Sequence, residues 1–354
     1  MEQDLTLAFC EQIRQACDNA KPLFIQGGNS KSFYGRPCQA DILQTGKHQG
    51  ILSYEPSELV LHARSGTRLA DIEQQLDEQR QMLAFEPPHF DTNSTLGGAI
   101  ATGLSGPRRP FAGSARDFVL GTGIINGKGE ALRFGGQVMK NVAGYDLSRL
   151  MCGALGTLGL ITDISIKVLP KPDVDYTLKQ VCSQSEAIER LTQWQQKPLP
   201  LSAACWHDEY LYLRLSGSEA ATRQAQHQLG DSIAEKQPAF WASIRDHQHP
   251  WLQRERPLWR LSVPPAAPPL AALQGDWLLD WGGAQRWLYS DEPAARIRQL
   301  TSEAGGHATL FRHYGDGDDV FHPLPAGLLA LHQRLKAALD PHYIFNPGRQ
   351  YKNI

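Results

Sequence analysis

The sequence contains few cysteines, and none of them belongs to a recognisable metal-binding motif. Six cysteines occur among 354 residues, and no two of them stand in a C-x-x-C pair. The absence of such pairs argues against a zinc ribbon or an iron–sulfur binding run of the usual spacing. Scattered single cysteines are typical of reduced thiols, so we expect a cytosolic protein.

Long apolar runs and an excess of charge are also missing. No stretch approaches the roughly 20 apolar residues that a membrane-spanning helix needs. The first twenty residues, MEQDLTLAFCEQIRQACDNA, lack the basic and apolar regions of a signal peptide. The formal net charge of −2 argues against a nucleic-acid binder. We therefore predict a cytoplasmic protein that binds no nucleic acid, with peripheral attachment to the inner membrane through a partner left open.

The length and the spacing of apolar residues predict more than one domain of α+β structure. Pro170 and Pro172 interrupt the chain, so we place a first domain at 1–172 and a second at 173–325, followed by a helix and tail at 326–354. In the first domain, FVLGTGIINGKGEALRF predicts a β-hairpin that turns at Asn126-Gly127.

Strand and helix patterns recur within the second domain. Strands are predicted at 174–181, 201–206, 210–216, 258–263, 276–281, 284–289 and 308–313, with helices at 184–196, 218–230 and 291–304. Repeated strand–helix–strand units predict an antiparallel sheet with helices packed on one face.

Glycine and small hydroxyl residues concentrate in three segments of the predicted first domain. They are IQGGNSKS at 25–32, STLGGAIATGLSGPRRPFAGSARDFVLG at 94–121 and GALGTLGLI at 153–161. Neither G-x-G-x-x-G nor a Walker loop occurs, and each segment alone is also compatible with tight turns or a loose surface loop. Three such segments together favour one extended, phosphate-bearing ligand such as a dinucleotide.

The order of these segments resembles a known flavoprotein superfamily. GGNS, STLGGAIATG, GSARDFVLG, KNVAGYDLSRLMCGALGTLGLIT and FNPGR follow one another as in the vanillyl-alcohol oxidase type, whose FAD-binding domain is of the PCMH class. The resemblance covers nearly all of residues 20–172 and returns in the tail. It implies a two-subdomain FAD-binding domain, a smaller α+β cap domain, and a tail that returns to the FAD domain. The phrase around residues 140–162 resembles the glycolate oxidase and D-lactate dehydrogenase branch, and the short length resembles the FAD-binding subunits of bacterial glycolate oxidases.

The resemblance also implies roles for individual residues. The first loop would hold the FAD pyrophosphate, the second would lie along the pyrophosphate and the flavin, a third would precede the hairpin, a fourth would lie near the adenosine, and the tail would approach the isoalloxazine. In that order the matching residues are Gln26, Gly27, Gly28, Asn29 and Ser30; Ser94, Thr95, Gly97, Gly98 and Ala101; Gly113, Ser114, Arg116 and Asp117; Gly153, Gly156, Thr157, Gly159 and Ile161; and Asn346 and Arg349.

Covalent flavin attachment is not expected from these residues. Superfamily members often attach FAD through a His just after the first glycines or through a Cys in the second glycine segment. Lys31 stands after the first glycines here, the second segment has no cysteine, and His89 lies in PPHFDT, which gives no attachment signature. We therefore predict non-covalent FAD.

Catalytic residues are harder to assign from the sequence. Larger relatives carry a metal motif of the H-x-G-D-G-N-L-H type in the cap, and FRHYGDGDDVFHP at 311–323 matches only its first half through His313, Gly315, Asp316 and Gly317. His307, His313 and His322 could form a metal or proton-transfer site, but a degenerate loop with structural histidines is the favoured interpretation. Tyr145 could donate to substrate or flavin, although a structural hydrogen bond is again favoured. No metal site is predicted.

The resemblance implies an FAD-dependent oxidoreductase acting on the CH–OH group of a small 2-hydroxy acid. The first hypothesis is the FAD-binding subunit of a glycolate oxidase complex, which oxidises glycolate to glyoxylate or relays its electrons. It would work with a larger flavoprotein subunit and an iron–sulfur subunit. The alternative is a stand-alone flavoenzyme acting on D-lactate or another 2-hydroxy acid. An assembly subunit without electron transfer is a third possibility.

Overall fold

The structure is a computed structural model that describes residues 4–136, 145–230, 234–235, 237–312 and 319–354. Its helices are α1 Thr6–Asp18, α2 Leu69–Asp77, α3 Leu96–Thr102, α4 Arg109–Ala112, α5 Ala115–Phe118, α6 Tyr145–Leu150, α7 Gln184–Trp194, α8 Glu219–Leu229, α9 Pro238–Arg245, α10 Ala294–Glu303 and α11 Ala326–Leu339. Its strands are β1 Leu23–Gln26, β2 Asp41–Gln44, β3 Ile51–Glu55, β4 Val60–Arg64, β5 Gln81–Met82, β6 Val119–Ile125, β7 Ala131–Gly135, β8 Leu160–Lys167, β9 Leu169–Pro170, β10 Val174–Val181, β11 Leu201–His207, β12 Tyr210–Gly217, β13 Ala234–Glu235, β14 Leu258–Ser262, β15 Asp276–Asp280, β16 Gln285–Tyr289 and β17 His307–Arg312.

The chain forms two compact units. Unit 1 comprises Met1–Leu104, Ser114–Pro170 and Pro323–Ile354, and unit 2 comprises Ser105–Gly113 and Lys171–His322. The short segment Ser105–Gly113 lies inside the predicted first domain but groups with unit 2. The indole Nε1 of Trp281 donates to the Gly106 carbonyl at 3.0 Å, and the Arg109 guanidinium lies 4.2 Å from the centroid of the Trp281 ring. These two contacts hold the segment against unit 2.

Unit 1 is built around a five-stranded antiparallel sheet of order β3-β4-β8-β6-β7. The predicted hairpin at Asn126-Gly127 is confirmed, because β6 and β7 pair directly on either side of that turn. A separate parallel pair, β1 and β2, receives the C-terminal tail through a bridge between Leu23 and Phe345. Helix α1 buries Phe9 and Ile13, which lie on one face of the helix, against these elements.

Unit 2 is one eight-stranded antiparallel sheet of order β13-β10-β12-β11-β15-β16-β14-β17. Apart from the short β13, its strands fall within a residue or two of the predicted ones, because each is a short run rich in apolar residues. Helices α7 and α8 bury Leu191 and Leu229 against one half of the sheet, and α10 buries Ile297 against the other half. The predicted α+β class with a large antiparallel sheet is confirmed.

Helix α3, in the second glycine segment, was not predicted. Gly97 and Gly98 lower its intrinsic helix propensity, which is why the sequence favours a loop there. Thr95 caps the helix by accepting a hydrogen bond from the Gly98 amide at 3.2 Å, and Leu96 and Ile100 are completely buried. Capping and burial together outweigh the weak propensity.

Candidate functional site

The glycine segments and the tail of unit 1 surround one cavity, which is open to solvent. Fourteen of the residues to which the sequence assigned FAD contact line the cavity. They are Gln26, Gly27, Gly28, Asn29, Ser30, Thr95, Gly97, Gly98, Ala101, Gly156, Gly159, Ile161, Asn346 and Arg349.

The first glycine loop (residues 26–30) lies directly against the segment that leads into α3. A Cβ atom added to Gly28 would stand 1.6 Å from the carbonyl oxygen of Asn93, and one added to Gly27 would stand 2.7 Å from Thr95 Oγ1. No side chain fits at Gly28 without separating the two backbones. These glycines therefore permit close approach of the two segments that line the cavity.

The C-terminal tail closes the cavity through side-chain bonds to main-chain atoms. Asn346 accepts from the Ile25 amide at 2.8 Å and donates to the Leu155 carbonyl at 2.6 Å. Arg349 donates to the carbonyls of Ser32 and Tyr34 at 2.6 and 2.8 Å, and burial lowers the pKa of its guanidinium. The tail thus holds β1, the loop after it and the GALGTLGLI segment in one arrangement.

A buried ion pair connects helix α11 to the tail and to the GALGTLGLI segment. Lys336 of α11 donates to the carbonyls of Thr157 and Phe345 at 2.8 and 2.7 Å and pairs with Asp340. Burial lowers the pKa of the Lys336 ammonium, and the adjacent Asp340 carboxylate opposes that shift. Thr157, which was assigned to FAD contact, is itself completely buried and serves this network through its carbonyl oxygen.

The other assigned residues do not line the cavity. Ser114 and Asp117 form a capping box at the start of α5, and the Arg116 charge acts on the pKa of Cys152, which burial raises to about 12. Gly113 belongs to unit 2. Ser94 is buried beside the cavity as a hydrogen-bond partner of Lys31. Gly153 donates its amide to the Ile100 carbonyl at 3.0 Å.

The cavity also contains residues that sequence reasoning missed. They are Phe24, Ile25, Lys31, Ser32, Tyr34, Thr45, Ser65, Thr102 and Leu155. Most of them are neighbours of predicted residues along the chain. Thr45 and Ser65 lie far from the glycine segments in sequence, and no local pattern marks them.

Ser65 provides a direct test of whether a polar ligand fits. Its side chain is 3% exposed, and within the described residues its Oγ makes no hydrogen bond. A buried hydroxyl without a partner costs about 1–3 kcal/mol, so such atoms usually meet a ligand or water. The cavity that Ser65 lines, with open glycine backbone on two sides, fits a polar, phosphate-bearing cofactor such as FAD.

The histidine candidates for catalysis are only partly described. His313 and the neighbouring Gly315, Asp316 and Gly317 lie outside the described residues, as does the side chain of Tyr145, the first residue of α6. His322 accepts from the Ala308 amide at 3.2 Å through Nδ1, and its Nε2 lies 3.2 Å from Ser302 Oγ. The ring of His307 is 6.4 Å away, centroid to centroid. Within the described residues no group of three or more His, Cys, Asp or Glu side chains could hold a metal ion.

None of the described helices combines the length and the apolar character that crossing a membrane requires.

Comparison with known proteins first defines the class. A family model described as FAD binding domain matches residues 8–135, and one described as FAD linked oxidases, C-terminal domain, matches residues 323–350. Two solved structures of alkyldihydroxyacetonephosphate synthase share the fold, with TM-scores of 0.67 and 0.66 at 13% and 15% identity, covering 96% of this chain and 75% of theirs. The chain is an FAD-linked oxidoreductase, and FAD is its cofactor.

A full-length relative then defines the family. Glycolate oxidase subunit GlcE of Escherichia coli (strain K12) is 48% identical over 353 residues, which cover 100% of this chain and 99% of that protein. The chain therefore belongs to the glycolate oxidase subunit GlcE family. A D-lactate dehydrogenase of Anaerostipes hadrus is 36% identical over 36% of this chain and 26% of its own length. Glycolate oxidase subunit GlcD of Bacillus subtilis (strain 168) is 29% identical over 47% of this chain and 36% of its own.

Proposed function

We propose that this chain is the FAD-binding subunit of a glycolate oxidase complex, in which glycolate is oxidised to glyoxylate. One observation carries the proposal, namely the 48% identity to glycolate oxidase subunit GlcE over essentially the whole of both chains. The cavity in unit 1 supports it, because the residues that line it suit a dinucleotide of the length of FAD.

Different residues of the cavity would bind different parts of FAD. The backbone of residues 26–30 and the segment around Thr95 and Gly98 would hold the pyrophosphate, and Gly156 and Ile161 would lie near the adenosine. Asn346 and Arg349 would set the wall on the isoalloxazine side, since both are fixed by main-chain bonds. When bound, FAD supplies an acceptor for the hydride of a 2-hydroxy acid.

We infer that the flavin is held without a covalent bond. The residue after the first glycines, Lys31, is engaged with Ser30 and Ser94, and its ammonium has no attachment chemistry of the kind that His or Cys provides. Precipitation with acid should therefore leave the yellow flavin in the supernatant. Flavin that stays with the precipitated polypeptide after washing would contradict this inference.

A larger flavoprotein subunit and an iron–sulfur subunit are the proposed partners. The relative on which the proposal rests is itself named as a subunit, which implies a glycolate oxidase complex. Of the histidine candidates, His307 and His322 lie in the described part of the chain, and both ring nitrogens of His322 have partners within unit 2. The engagement of His322 in these bonds supports a chain that relays electrons, or one whose substrate site is completed by another subunit. We propose that such a chain contacts the membrane only through the complex.

The decisive experiment compares the isolated chain with the co-expressed complex under anaerobic conditions. We expect both to show the absorption bands of oxidised flavin, and only the complex to bleach when glycolate is added. Bleaching of the isolated chain by glycolate or D-lactate would instead favour the stand-alone enzyme. The proposed function would be refuted if this subunit lacked FAD both in the isolated chain and in the complex. An assembly role would be favoured if the complex transferred electrons while this subunit held no flavin.

A further inference from the structure

Lys31 is a largely buried lysine among the residues that line the cavity of unit 1. Its side chain is only 7% exposed. The ammonium donates to Ser94 Oγ and to Ser30 Oγ, the latter at 3.2 Å, and lies 3.5 Å from the His89 carbonyl oxygen. It also stands 5.6 Å from the centroid of the Phe90 ring. The ammonium is therefore held next to Ser30, which lines the cavity, by contacts with Ser94, His89 and Phe90, which lie beside it.

The two serines belong to the two segments that meet at the cavity. Ser30 ends the first glycine loop, and Ser94 directly precedes Thr95, which also lines the cavity. One ammonium thus joins both segments close to the point where Gly28 brings their backbones into contact. An anion bound in the cavity beside Ser30 would lie close to the charge of Lys31 as well as to main-chain amides.

A pyrophosphate group carries about two negative charges, and attraction between opposite charges strengthens where water is excluded. A lysine ammonium suits a phosphate because it is a compact charge with three donors on a flexible stem. The position of Lys31 is therefore favourable for a bound pyrophosphate.

We propose that Lys31 is the cationic ligand of the FAD pyrophosphate in this chain. The proposal rests on FAD binding in the cavity and adds a residue that sequence reasoning treated only as the absence of a covalent attachment site. Where the superfamily often has an attachment residue, this chain has a charge that binds the cofactor through its phosphates.

The test distinguishes binding through the phosphates from binding through the flavin ring by comparing ligands that have only one of these parts. The full-length chain is freed of flavin, and the affinities for FAD, ADP and riboflavin are measured by calorimetry at low and high salt. Lys31→Gln should weaken FAD and ADP by a similar factor, about tenfold to a hundredfold, because a charge-assisted hydrogen bond to phosphate is lost. Riboflavin, which has no phosphate, should bind the variant and the wild type within about twofold. The salt dependence of ADP binding should become shallower in the variant.

Two further variants guard against a purely structural effect. Lys31→Arg keeps the charge and should recover most of the affinity for ADP, and Lys47→Gln, which changes an exposed lysine in the turn after β2, should leave all three affinities unchanged. Should Lys31→Gln fail to fold, Ser94→Ala removes the anchor of the ammonium and should weaken ADP by a smaller factor. Unchanged ADP affinity in a folded Lys31→Gln chain would overturn the proposal, as would an equal loss for riboflavin. A wild-type chain that binds neither FAD nor ADP would refute the proposed function itself.

Discussion

Lys336 Nζ lies 2.7 Å from Asp340 Oδ2, and neither side chain is exposed at all. The carboxylate also accepts from the amides of Ile344 and Phe345 at 3.1 and 2.8 Å. The ammonium donates to carbonyls on the GALGTLGLI segment and on the tail. One buried ion pair therefore connects α11, the tail and a wall of the cofactor cavity.

Replacement of Lys336 by Met should destabilise the protein strongly. The substitution leaves the Asp340 carboxylate buried without its partner charge, which typically costs about 3–5 kcal/mol. Chemical denaturation of the flavin-free chain measures this free energy of unfolding. The double variant Lys336→Met with Asp340→Asn should recover part of the loss, because no buried charge remains. Arg334→Met, at an exposed position on the same helix, is the control and should change stability by less than about 0.5 kcal/mol. A Lys336→Met chain as stable as this control would contradict the prediction.

Gly28→Ala should abolish tight FAD binding. The added methyl group would overlap the Asn93 carbonyl, so the first glycine loop must move away from the segment that precedes α3. Because both backbones line the cavity, we expect a loss of flavin during gel filtration and a fall in affinity of at least about a hundredfold, as found for small displacements of positioned groups. The flavin-to-protein absorbance ratio measures it.

Gly327→Ala is the matched control for that substitution. Its Cβ would meet no atom within 4 Å, and the residue lies exposed in the first turn of α11. Alanine is the better helix former, so stability should be unchanged or rise by up to about 1 kcal/mol, with full flavin content. Loss of flavin in both variants would indicate a general sensitivity of the glycines and not the specific contact at Gly28.

Much of the fold could be predicted from local patterns in the sequence. The hairpin of β6 and β7 follows from Asn126-Gly127 between two apolar runs, and most strands of unit 2 follow from short runs rich in apolar residues. Helix α3 was missed because its glycines argue against a helix, while the Thr95 cap and the burial of Ile100 that stabilise it depend on tertiary structure. Local rules fail here at the residues that line the cavity, where close approach matters more than propensity.

The site was predictable only where a family motif marks it. The glycine segments indicated most of the cavity, but Lys31 and Ser65 have no local signature. Lys336 and Asp340 are spaced i, i+4, which in a sequence indicates an exposed helix pair, whereas their burial results from packing of the tail. The environment of these side chains depends on residues distant in sequence, such as Ser94 for Lys31 and Thr157 for Lys336, and no local pattern in the sequence indicates those contacts.

Ser65→Ala should separate cofactor binding from stability. The Ser65 hydroxyl is buried at the cavity and makes no hydrogen bond within the described chain, so its removal should leave the flavin-free protein equally stable or more stable by about 1 kcal/mol. If FAD is the partner of this hydroxyl, its affinity should fall about fivefold to tenfold, as for one neutral hydrogen bond. Thermal unfolding with and without FAD measures both effects. Lower stability of the flavin-free variant would mean that the hydroxyl serves the fold.

The ionisation of Asp163 makes the stability of unit 1 depend on pH. Burial raises the pKa of its carboxyl, but the hydrogen bond with His62 at 2.6 Å and the charge of Arg133 outweigh burial and hold the pKa at about 2, below the ordinary value of 3.8. Since the folded pKa is depressed, the stabilisation is present above pH 3.8 and is lost as the pH falls toward 2. A difference of about 1.8 pKa units corresponds to about 2 kcal/mol at neutral pH.

Asp163→Asn should therefore flatten the acid limb of the stability profile. The wild-type chain should lose about 1 kcal/mol from this group between pH 7 and pH 3, whereas the variant starts lower at pH 7 and loses less. Denaturant midpoints of the flavin-free chain across pH 7 to 3 give the comparison. Asp18→Asn, at an exposed aspartate that ends α1, should leave the wild-type slope intact. Identical slopes for Asp163→Asn and wild type would mean that the His62 and Arg133 contacts do not favour the ionised carboxylate. The acid sensitivity of the chain would then have to come from other carboxylates.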